Sequence, residues 1–481
     1  MDGIVLKDRN GNNIEYPGVN HIKVKTTDGA TKDFIARTPV ETTVDLDFSG
    51  GAMEVNPESE ELFSKVNIPV PENLNPENIA EGVNIAGIVG TRKSGKAESV
   101  LAKDINFFDY DGTVVYAYSL SDLPLSELPA LPDHSGDDIP LTAQGWNYTL
   151  DEVNAATYTT NIGAIYIPTD GATKIGIHIP DTLRRTFSLY ITQTVTNGVY
   201  IDWGDGNTAT LSGTGSVNTS HTYTEPGSYV ISLLPADGCE MTLGQGTINT
   251  GICGDTQTQA LWDVLSFIMA VHIGRNCNIV KYALSYIMDS FVVTIPDGVV
   301  SLEGSAFFQS AGFEHINIPK SVTTIGNSCF YSCTRMVGIS IPQGVTNLPN
   351  AFQLAYYFKH FAIPKGVASI ADKCIYYCRH LPNVTVPEGV TSIGTNFMQD
   401  ALGLHRVDLP STLVSIGETS FRHLYNLKEL HIKAITPPTL SASSIFEGLA
   451  SDCVIYVPSA SLSKYKTATY WSTHASKMVG V

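Results

Sequence analysis

The chain has 481 residues, too many for one ordinary core, and 43% of them are hydrophobic, which is typical of globular rather than disordered proteins. Its formal charge is −18 with only 29 Lys and Arg, so neither a nucleic-acid partner nor an anionic membrane surface is expected. Eight cysteines in a chain of this size do not indicate a disulfide scaffold.

The start of the chain lacks the features of a secretory signal. Met1 is followed by Asp2 and Gly3, with neither a basic segment nor a sustained apolar run behind them. The most apolar stretch, residues 261–273, contains Asp263 and is too short to cross a bilayer. We therefore expect synthesis in a cytoplasm, no export by general secretion, and no membrane insertion.

Residues 1–98 are predicted to be a β-rich region. Turn residues at 8–12 and 27–29 separate alternating apolar and polar runs, a pattern that indicates hairpins. The string PENIAEGVNIAGIVGT at residues 76–91 resembles a segment that recurs in phage tail and baseplate proteins. This resemblance implies an attachment region that binds other tail proteins.

Residues 90–97 nearly match a phosphate-binding loop, GTRKSGKA. Ala97 stands where the loop needs a hydroxyl to hold magnesium, and no strand and helix frame the segment. We therefore predict no nucleotide site and no cofactor.

Residues 99–165 are predicted to be a connector with a hairpin at Asp111-Gly112 and a short helix near Leu150. The strings NFFDYDGT and LTAQGWN resemble a module in tail proteins of phages and prophages of gut bacteria. That resemblance again implies a tail component.

Residues 166–246 have short strands with frequent turns, which predicts an antiparallel sandwich. The string VYIDWGDG followed by HTY resembles polycystic-kidney-disease-type (PKD-like) domains. Asp202, Asp205 and His221 could suggest a catalytic or calcium site, but they supply too few oxygen ligands for calcium. The resemblance implies instead that the aspartates cap backbone amides in a turn.

Residues 247–481 are predicted to be a solenoid. Helical spacing at residues 256–270 predicts a helix that caps its N-terminal end. Six Ile-Pro, Val-Pro or Leu-Pro pairs then recur with spacings of 23, 23, 22, 23 and 23 residues, at Pro296, Pro319, Pro342, Pro364, Pro387 and Pro410. Apolar residues keep the same phase, so each unit is predicted to hold a strand, a turn and a short helical or 3₁₀ piece. The pattern resembles BspA-like leucine-rich repeats, and the C-terminal tail resembles the closing segment of such arrays.

Two cysteine pairs, Cys329 with Cys333 and Cys374 with Cys378, share a four-residue spacing that could suggest zinc. Neither a histidine nor another cysteine completes a set of four ligands, so we predict small buried core residues and no metal site.

The proline frame predicts which side chains point outward from the strands. In neighbouring rungs, Arg406 should face Glu429 and Asp408 should face His431. Asp408 and Glu429 could also form a glycosidase acid pair, but paired charges on an exposed ladder are mostly structural. The predicted receptor-binding residues on these strands are His315, Asn317, His360, Asn383, Thr385, Arg406, Asp408, Glu429 and His431.

A second predicted binding surface carries tyrosines, which offer a large contact area with few rotatable bonds. Its members are Tyr356, Tyr357, Tyr376 and Tyr377, with Tyr331 nearby.

These patterns together predict a multidomain, mostly β protein: an N-terminal β-rich attachment region, a connector, a PKD/Ig-like sandwich and a leucine-rich-repeat solenoid with short helices. The resemblances imply a phage tail fibre or tail-tip adhesin, located in the virion and homotrimeric, that binds a bacterial surface glycan or protein. One alternative is a BspA-like bacterial surface adhesin, and another is a tailspike-like glycan depolymerase. We predict binding without enzymatic activity.

Overall fold

The computed structural model describes residues 102–180, 185–244, 250–255, 265–289 and 291–481, and eight strands before residue 97. The chain divides into two compact units, Met1–Lys96 and Ala97–Val481. The strands of the first unit are β1 (Ile4–Lys7), β2 (Asn13–Tyr16), β3 (His21–Lys25), β4 (Thr31–Ile35), β5 (Thr43–Val44), β6 (Ser64–Lys65), β7 (Asn84–Ile85) and β8 (Ile88–Val89).

In this first unit the antiparallel pairs β1–β2 and β3–β4 match the hairpins predicted from the sequence. Strands β5 and β6 pair in parallel, and β7 and β8 pair antiparallel. Apart from β7 and β8, the phage-like string at 76–91 and the loop at 90–97 lie outside the described residues.

The connector folds into one mixed sheet with the strand order β10-β9-β12-β11. The predicted hairpin is present, with Gly112 at a φ of 90° and Asp111 accepting a hydrogen bond from Thr113 N. The predicted short helix is also present, and Thr149 and Glu152 cap it reciprocally. The elements are β9 (Ile105–Phe108), β10 (Val114–Tyr118), η1 (Leu120–Asp122), β11 (Leu141–Trp146), α1 (Leu150–Asn154) and β12 (Thr160–Pro168).

The next region is a sandwich of two sheets. One sheet has the order β16-β15-β18-β13-β22-β24 and the other β17-β14-β19-β23. Strands β22, β23 and β24 belong to the first rungs of the solenoid, so one hydrophobic core runs through sandwich and solenoid. The strands are β13 (Thr173–Ile179), β14 (Thr186–Gln193), β15 (Val199–Asp202), β16 (Thr208–Thr210), β17 (Gly215–Thr222), β18 (Gly227–Pro235), β19 (Met241–Leu243), β20 (Thr250–Gly251), β21 (Gly254–Asp255), β22 (Ile268–His272), β23 (Cys277–Ile279) and β24 (Val292–Thr294).

The prediction of a helix at 256–270 is wrong for residues 268–270, which form part of the strand β22. Residues 256–264 lie outside the described residues. Strand β22 pairs with β13 of the sandwich and with β24 of the solenoid. The apolar residues at this end therefore complete a shared sheet rather than one face of a helix.

The repeats stack as a ladder of parallel strands on two sides. The first side contains β25 (Ser301–Leu302), β27 (Thr324–Ile325), β29 (Asn347–Leu348), β30 (Ser369–Ile370), β32 (Ser392–Ile393), β34 (Ser415–Ile416) and β36 (Thr439–Leu440). The second contains β26 (His315–Asn317), β28 (Gly338–Ser340), β31 (Asn383–Thr385), β33 (Arg406–Leu409), β35 (Glu429–Ile432), β37 (Val454–Val457) and β38 (Met478–Gly480). We call the outward surface of the second side, including the segment at His360 that bridges to Gly338, the strand face.

The tail closes the C-terminal end of the solenoid. Trp471 and Tyr465 are buried and donate hydrogen bonds to the carbonyls of Pro438 and Ala434. Short helices lie here: η2 (Ser443–Phe446), η3 (Ser459–Ser461), α2 (Leu462–Thr467) and η4 (Trp471–Lys477). No helix in the described ranges is long and apolar enough to span a bilayer.

Earlier in the solenoid, the segment predicted as a helical or 3₁₀ piece is a pair of turns with left-handed residues at two repeat positions. One series is Tyr282, Ser305, Ser328, Lys373, Asn396 and Thr419, and the other is Tyr286, Gln309, Ser332, Leu354, Tyr377, Asp400 and His423. Amides in these turns bond to carbonyls of the next rung, as Phe307 N does to Cys329 O at 2.9 Å. The turns therefore form a third side of the ladder.

Lys373 is exposed and left-handed, with a φ of 56°, and Asn396 occupies the same position one rung later. Asparagine tolerates this conformation better than lysine. We expect Lys373→Asn to raise the thermal unfolding midpoint by roughly 1–3 °C. Lys466→Asn is the control: Lys466 lies in the helix α2, where asparagine is less favourable, so this variant should lower the midpoint. A lower midpoint in both variants would contradict the left-handed conformation of Lys373.

Candidate functional site

The connector covers the N-terminal half of the strand face. Asn317 Nδ2 donates to the carbonyls of Asp109 and Ala164, both at 3.1 Å, and its Oδ1 lies 2.8 Å from His315 Nε2. The ring of Phe108 stacks on His315, with centroids 4.5 Å apart. His315 and Asn317 are each only 4% exposed, so the prediction that they contact a receptor is wrong in this fold.

The prolines of the repeat explain how the connector binds there. In a parallel ladder, the carbonyl of Ile318 would accept a hydrogen bond from the backbone N–H of residue 342 in the next rung. Residue 342 is a proline, which has no N–H to donate. Asn147 Nδ2 donates to that carbonyl instead, at 2.8 Å. Where Lys433 replaces the proline, its amide bonds normally to Leu409 O at 3.1 Å.

The same substitution of a side chain for a missing amide recurs on the next two rungs. Tyr148 Oη donates to Ile341 O at 2.8 Å, and Tyr158 Oη donates to Ile363 O at 2.7 Å. The connector thus satisfies three successive carbonyls that the prolines leave free. These three Ile-Pro pairs are therefore both repeat markers and binding positions for the connector.

The strand face is uncovered beyond this contact, among the residues that the structure describes. Asn383 is exposed and Thr385 is half-buried, and both line a cleft at the edge of the connector. His360 is half-buried, with its ring 5.5 Å from that of Phe108. These three predicted residues thus lie at the boundary between the covered and uncovered parts.

The charged ladder has the predicted register. Arg406 pairs with Glu429 and Asp408 with His431 across β33 and β35. Arg406 donates two hydrogen bonds of 2.8 Å to Asp408 in its own strand and one of 3.2 Å to Glu429. The hydrogen bond and charge of Asp408, with the charge of Glu429, raise the pKa of Arg406, so one guanidinium holds both carboxylates of the candidate acid pair.

Ring side chains extend this ladder. His431 stacks on Tyr456 with centroids 4.3 Å apart, and its Nε2 lies 3.0 Å from Glu429 Oε2. Tyr456 was not among the predicted receptor-binding residues, because the tail departs from the repeat period.

The predicted tyrosine surface lies on the turns of two neighbouring rungs. Arg379 stands over the rings of Tyr356 and Tyr377, at 5.5 and 5.0 Å from their centroids. Tyr357 stacks on His380, and Tyr376 packs against Tyr377. Tyr357 is exposed and the other three tyrosines are half-buried, so much of their area is used between rungs.

Residues 274–353 and 348–451 match the family model described as the BspA type leucine-rich repeat region. With the stacked parallel rungs, this match decides the identity of the C-terminal part. Residues 274–451 are BspA-type leucine-rich repeats. No curated protein matches the chain.

Among solved structures, the chain is similar to a leucine-rich cell surface protein from Faecalibacterium prausnitzii, at 25% identity and a TM-score of 0.29. The match covers 42% of this chain and 56% of that one, so it spans about half of the other protein. A Treponema pallidum (T. pallidum) leucine-rich repeat protein matches at 20% identity and a TM-score of 0.24, over 39% of this chain and 73% of that one.

The cysteines of the BspA-type repeats are core residues. Cys333 Sγ donates to Phe307 O and Cys378 Sγ to Phe352 O, both at 3.1 Å. Burial raises the pKa of both thiols well above its usual value. Within the described ranges, no group of three His, Cys, Asp or Glu is arranged to hold a metal ion.

The sandwich that precedes the repeats uses its acidic turn structurally, as predicted. Asp202 Oδ1 accepts from Gly204 N and Asp205 Oδ1 from Asn207 N. His221 Nε2 lies 2.7 Å from Asp205 Oδ2 and its ring stacks on Trp203. These contacts fix the turn between β15 and β16.

A buried histidine joins two parts of the connector. His134 is 4% exposed and lies 2.9 Å from Asp109 and 2.8 Å from Asp137. Burial opposes its protonation, but the hydrogen bonds and charges of these two aspartates prevail and raise the pKa of His134 to about 9. The rings of Tyr110 and Tyr166 pack against it.

This environment predicts a loss of stability in mild alkali. Because the folded pKa of about 9 exceeds the ordinary value of 6.5, the stabilisation is complete below pH 6.5 and is lost as the pH rises through about 9. We expect the thermal midpoint to fall from about pH 7 to about pH 9.5. His134→Gln should show a smaller fall, and an equal fall in both proteins would contradict this role.

Proposed function

We propose that this protein is an adhesin-type attachment protein, displayed on a bacterial surface, whose uncovered strand face binds a glycan or protein of a neighbouring surface. The match to BspA-type repeats supports this adhesin at least as well as the tail component predicted from the sequence.

The observation that carries the proposal is the composition of the uncovered strand face. Arg406, Asp408 and Glu429 form a fixed hydrogen-bonded network on a parallel sheet, beside the stacked rings of His431 and Tyr456. Such a surface offers directed donors, acceptors and ring faces with little side-chain entropy to lose on binding. These properties suit recognition of a polar partner.

The same network favours binding over catalysis. A glycosidase needs one carboxyl group that can donate a proton and another that can act as base or nucleophile. Here both carboxylates accept hydrogen bonds from the one guanidinium of Arg406, so both are engaged in a structural network. We therefore propose a protein without hydrolase activity on its partner.

A phage tail component is the second candidate, and the phage-like string at 76–91 is the observation that favours it. In that setting the protein would be homotrimeric, located in the virion, and joined to other tail proteins through its N-terminal region. The sandwich, with its PKD-like string, would serve as a spacer in either setting. Mass spectrometry of washed cell envelopes and of phage particles from one culture would distinguish the two locations.

Attachment of the fluorescently labelled full chain to bacterial and epithelial cells tests the proposed surface. We expect Arg406→Ala with His431→Ala to reduce attachment about tenfold, because the network and the stacked ring are lost together. The thermal midpoint should change by only a few degrees, since exposed ion pairs contribute about 0–1 kcal/mol.

Arg422→Ala is the matched control, because Arg422 also forms an ion pair, with Glu447, but lies on the turn side of the repeats. It should attach normally. Equal attachment by the double variant and the control would contradict binding through the strand face.

A further inference from the structure

We propose that the cleft at the edge of the connector binds a carboxylated sugar. The cleft has a volume of ≈ 450 Å³ and lies between β9 and β12 of the connector and the rungs around His360 and Asn383. That volume is within the range of small-molecule sites. The inference deepens the proposed function and rests on it, since the sugar would be part of the surface partner.

An unpaired amide marks the wall of the cleft. Asn161 is only 2% exposed, and neither its Oδ1 nor its Nδ2 has a hydrogen-bond partner among the described residues. Its backbone carbonyl is occupied, because Ser340 Oγ donates to it at 2.8 Å. A buried amide without partners is unfavourable, and a sugar hydroxyl can both donate to its oxygen and accept from its nitrogen.

The charge of the cleft selects an acidic sugar. Lys103 and Lys359 line it, while its described lining includes neither Asp nor Glu. This is unusual in a chain of formal charge −18. A ligand carboxylate in the cleft would therefore be attracted by two lysines and repelled by no lining carboxylate. A neutral sugar would form no ion pair with these lysines.

The proline pattern supplies a further acceptor at the edge of the cleft. The connector satisfies the free carbonyls of Ile318, Ile341 and Ile363, but it ends there. The next carbonyl of the series is that of Val386, which would need the missing N–H of Pro410 and follows Thr385 of the cleft wall. A ligand hydroxyl could donate to it as Tyr158 does one rung earlier.

Ring faces complete the arrangement. Tyr158 and His380 line the cleft, and the ring of His380 is stacked on that of Tyr357, with ring centroids 4.9 Å apart. Flat rings of this kind pack well against the C–H faces of a pyranose. Tyr357 of the predicted tyrosine surface therefore packs against a ring of the cleft wall.

Titration of the full chain with glucuronic acid and N-acetylneuraminic acid, against galactose, tests this inference by calorimetry. We expect the acidic sugars to bind and galactose to bind at least about tenfold more weakly. Asn161→Leu and Lys359→Glu should each weaken acidic-sugar binding about tenfold or more. Lys466→Glu makes the same charge change on an exposed helix and should have no effect.

Thermal unfolding separates loss of binding from loss of fold. Asn161→Leu removes an unpaired buried amide, so its midpoint should stay level or rise. Equal binding of galactose, no binding of any sugar, or unchanged affinity in folded Asn161→Leu would overturn the cleft proposal. If these variants still attach to cells while the strand-face variant does not, the proposed function stands and only the cleft inference fails.

Discussion

Gly163→Ala is expected to release the connector from the repeats. Gly163 lies in β12 directly over the side chain of Asn317, and a methyl group at this position would overlap the carboxamide. The clash would displace the buried amide that donates to Asp109 O and Ala164 O, so both of these hydrogen bonds between the repeats and the connector would be lost. We expect a loss of about 3 kcal/mol from overpacking together with unpaired buried groups.

Hydrogen exchange of residues 102–168 and denaturant unfolding would measure this change. Gly136→Ala is the matched control, because it lies in the same connector and a methyl group there would meet nothing within 4 Å. Exchange in the control should match that of the parent chain. Equal protection in the two variants would mean that the connector is not held by this contact.

Phe330→Ala is expected to give the largest loss of stability in the solenoid. Phe330 is fully buried between Phe307 and Phe352, with centroid distances of 5.2 and 5.5 Å. Truncation of a buried phenylalanine costs about 3–5 kcal/mol, and a rung is stabilised mainly by its two neighbours. The thermal midpoint of the solenoid should fall by roughly 10 °C.

Tyr331→Ala provides the comparison within the same rung. Tyr331 is half-buried and stacks on Phe308 at 4.9 Å, so its truncation should cost only about 1 kcal/mol. Circular dichroism during heating would rank the two variants. A loss for Tyr331→Ala as large as that for Phe330→Ala would show that the stack around Phe330 is not the core of the solenoid.

The period of the prolines was sufficient to predict the ladder and its register. Arg406 and Glu429 are 23 residues apart and are paired because side chains at equal phase meet in a parallel stack. A local hairpin such as the one at Asp111-Gly112 was equally predictable, since its turn residues require that conformation. These features depend on short-range or periodic constraints that one sequence contains.

The cover over the strand face was not predictable in the same way. His315 has the same phase as Arg406, yet the connector covers it, and Phe108, which stacks on it, is more than 200 residues earlier in the chain. A signal was present in retrospect: each Ile-Pro pair leaves a carbonyl without an amide, and the connector carries Asn147, Tyr148 and Tyr158. Sequence alone does not say which donor meets which carbonyl.

The left-handed turns were missed for another reason. Their positions hold residues as different as Ser305, Lys373 and Tyr377, so no glycine marks the conformation. The bonds between neighbouring rungs impose it, which is a tertiary effect that local propensity does not contain. The same applies to residues 268–270, where pairing with the sandwich produces a strand despite helical spacing.

Chemical labelling of histidines would test most directly that the connector covers one half of the strand face and leaves the other half free. Diethyl pyrocarbonate modifies accessible neutral imidazoles, and burial lowers the pKa of His315 to about 4, so protonation would not protect it at neutral pH. His405 is exposed and directly precedes β33 on the uncovered half. Mass spectrometry of the labelled full chain should find His405 and His431 modified and His315 unmodified. Modification of His315 at the rate of His405 would contradict the arrangement on which the proposed binding surface depends.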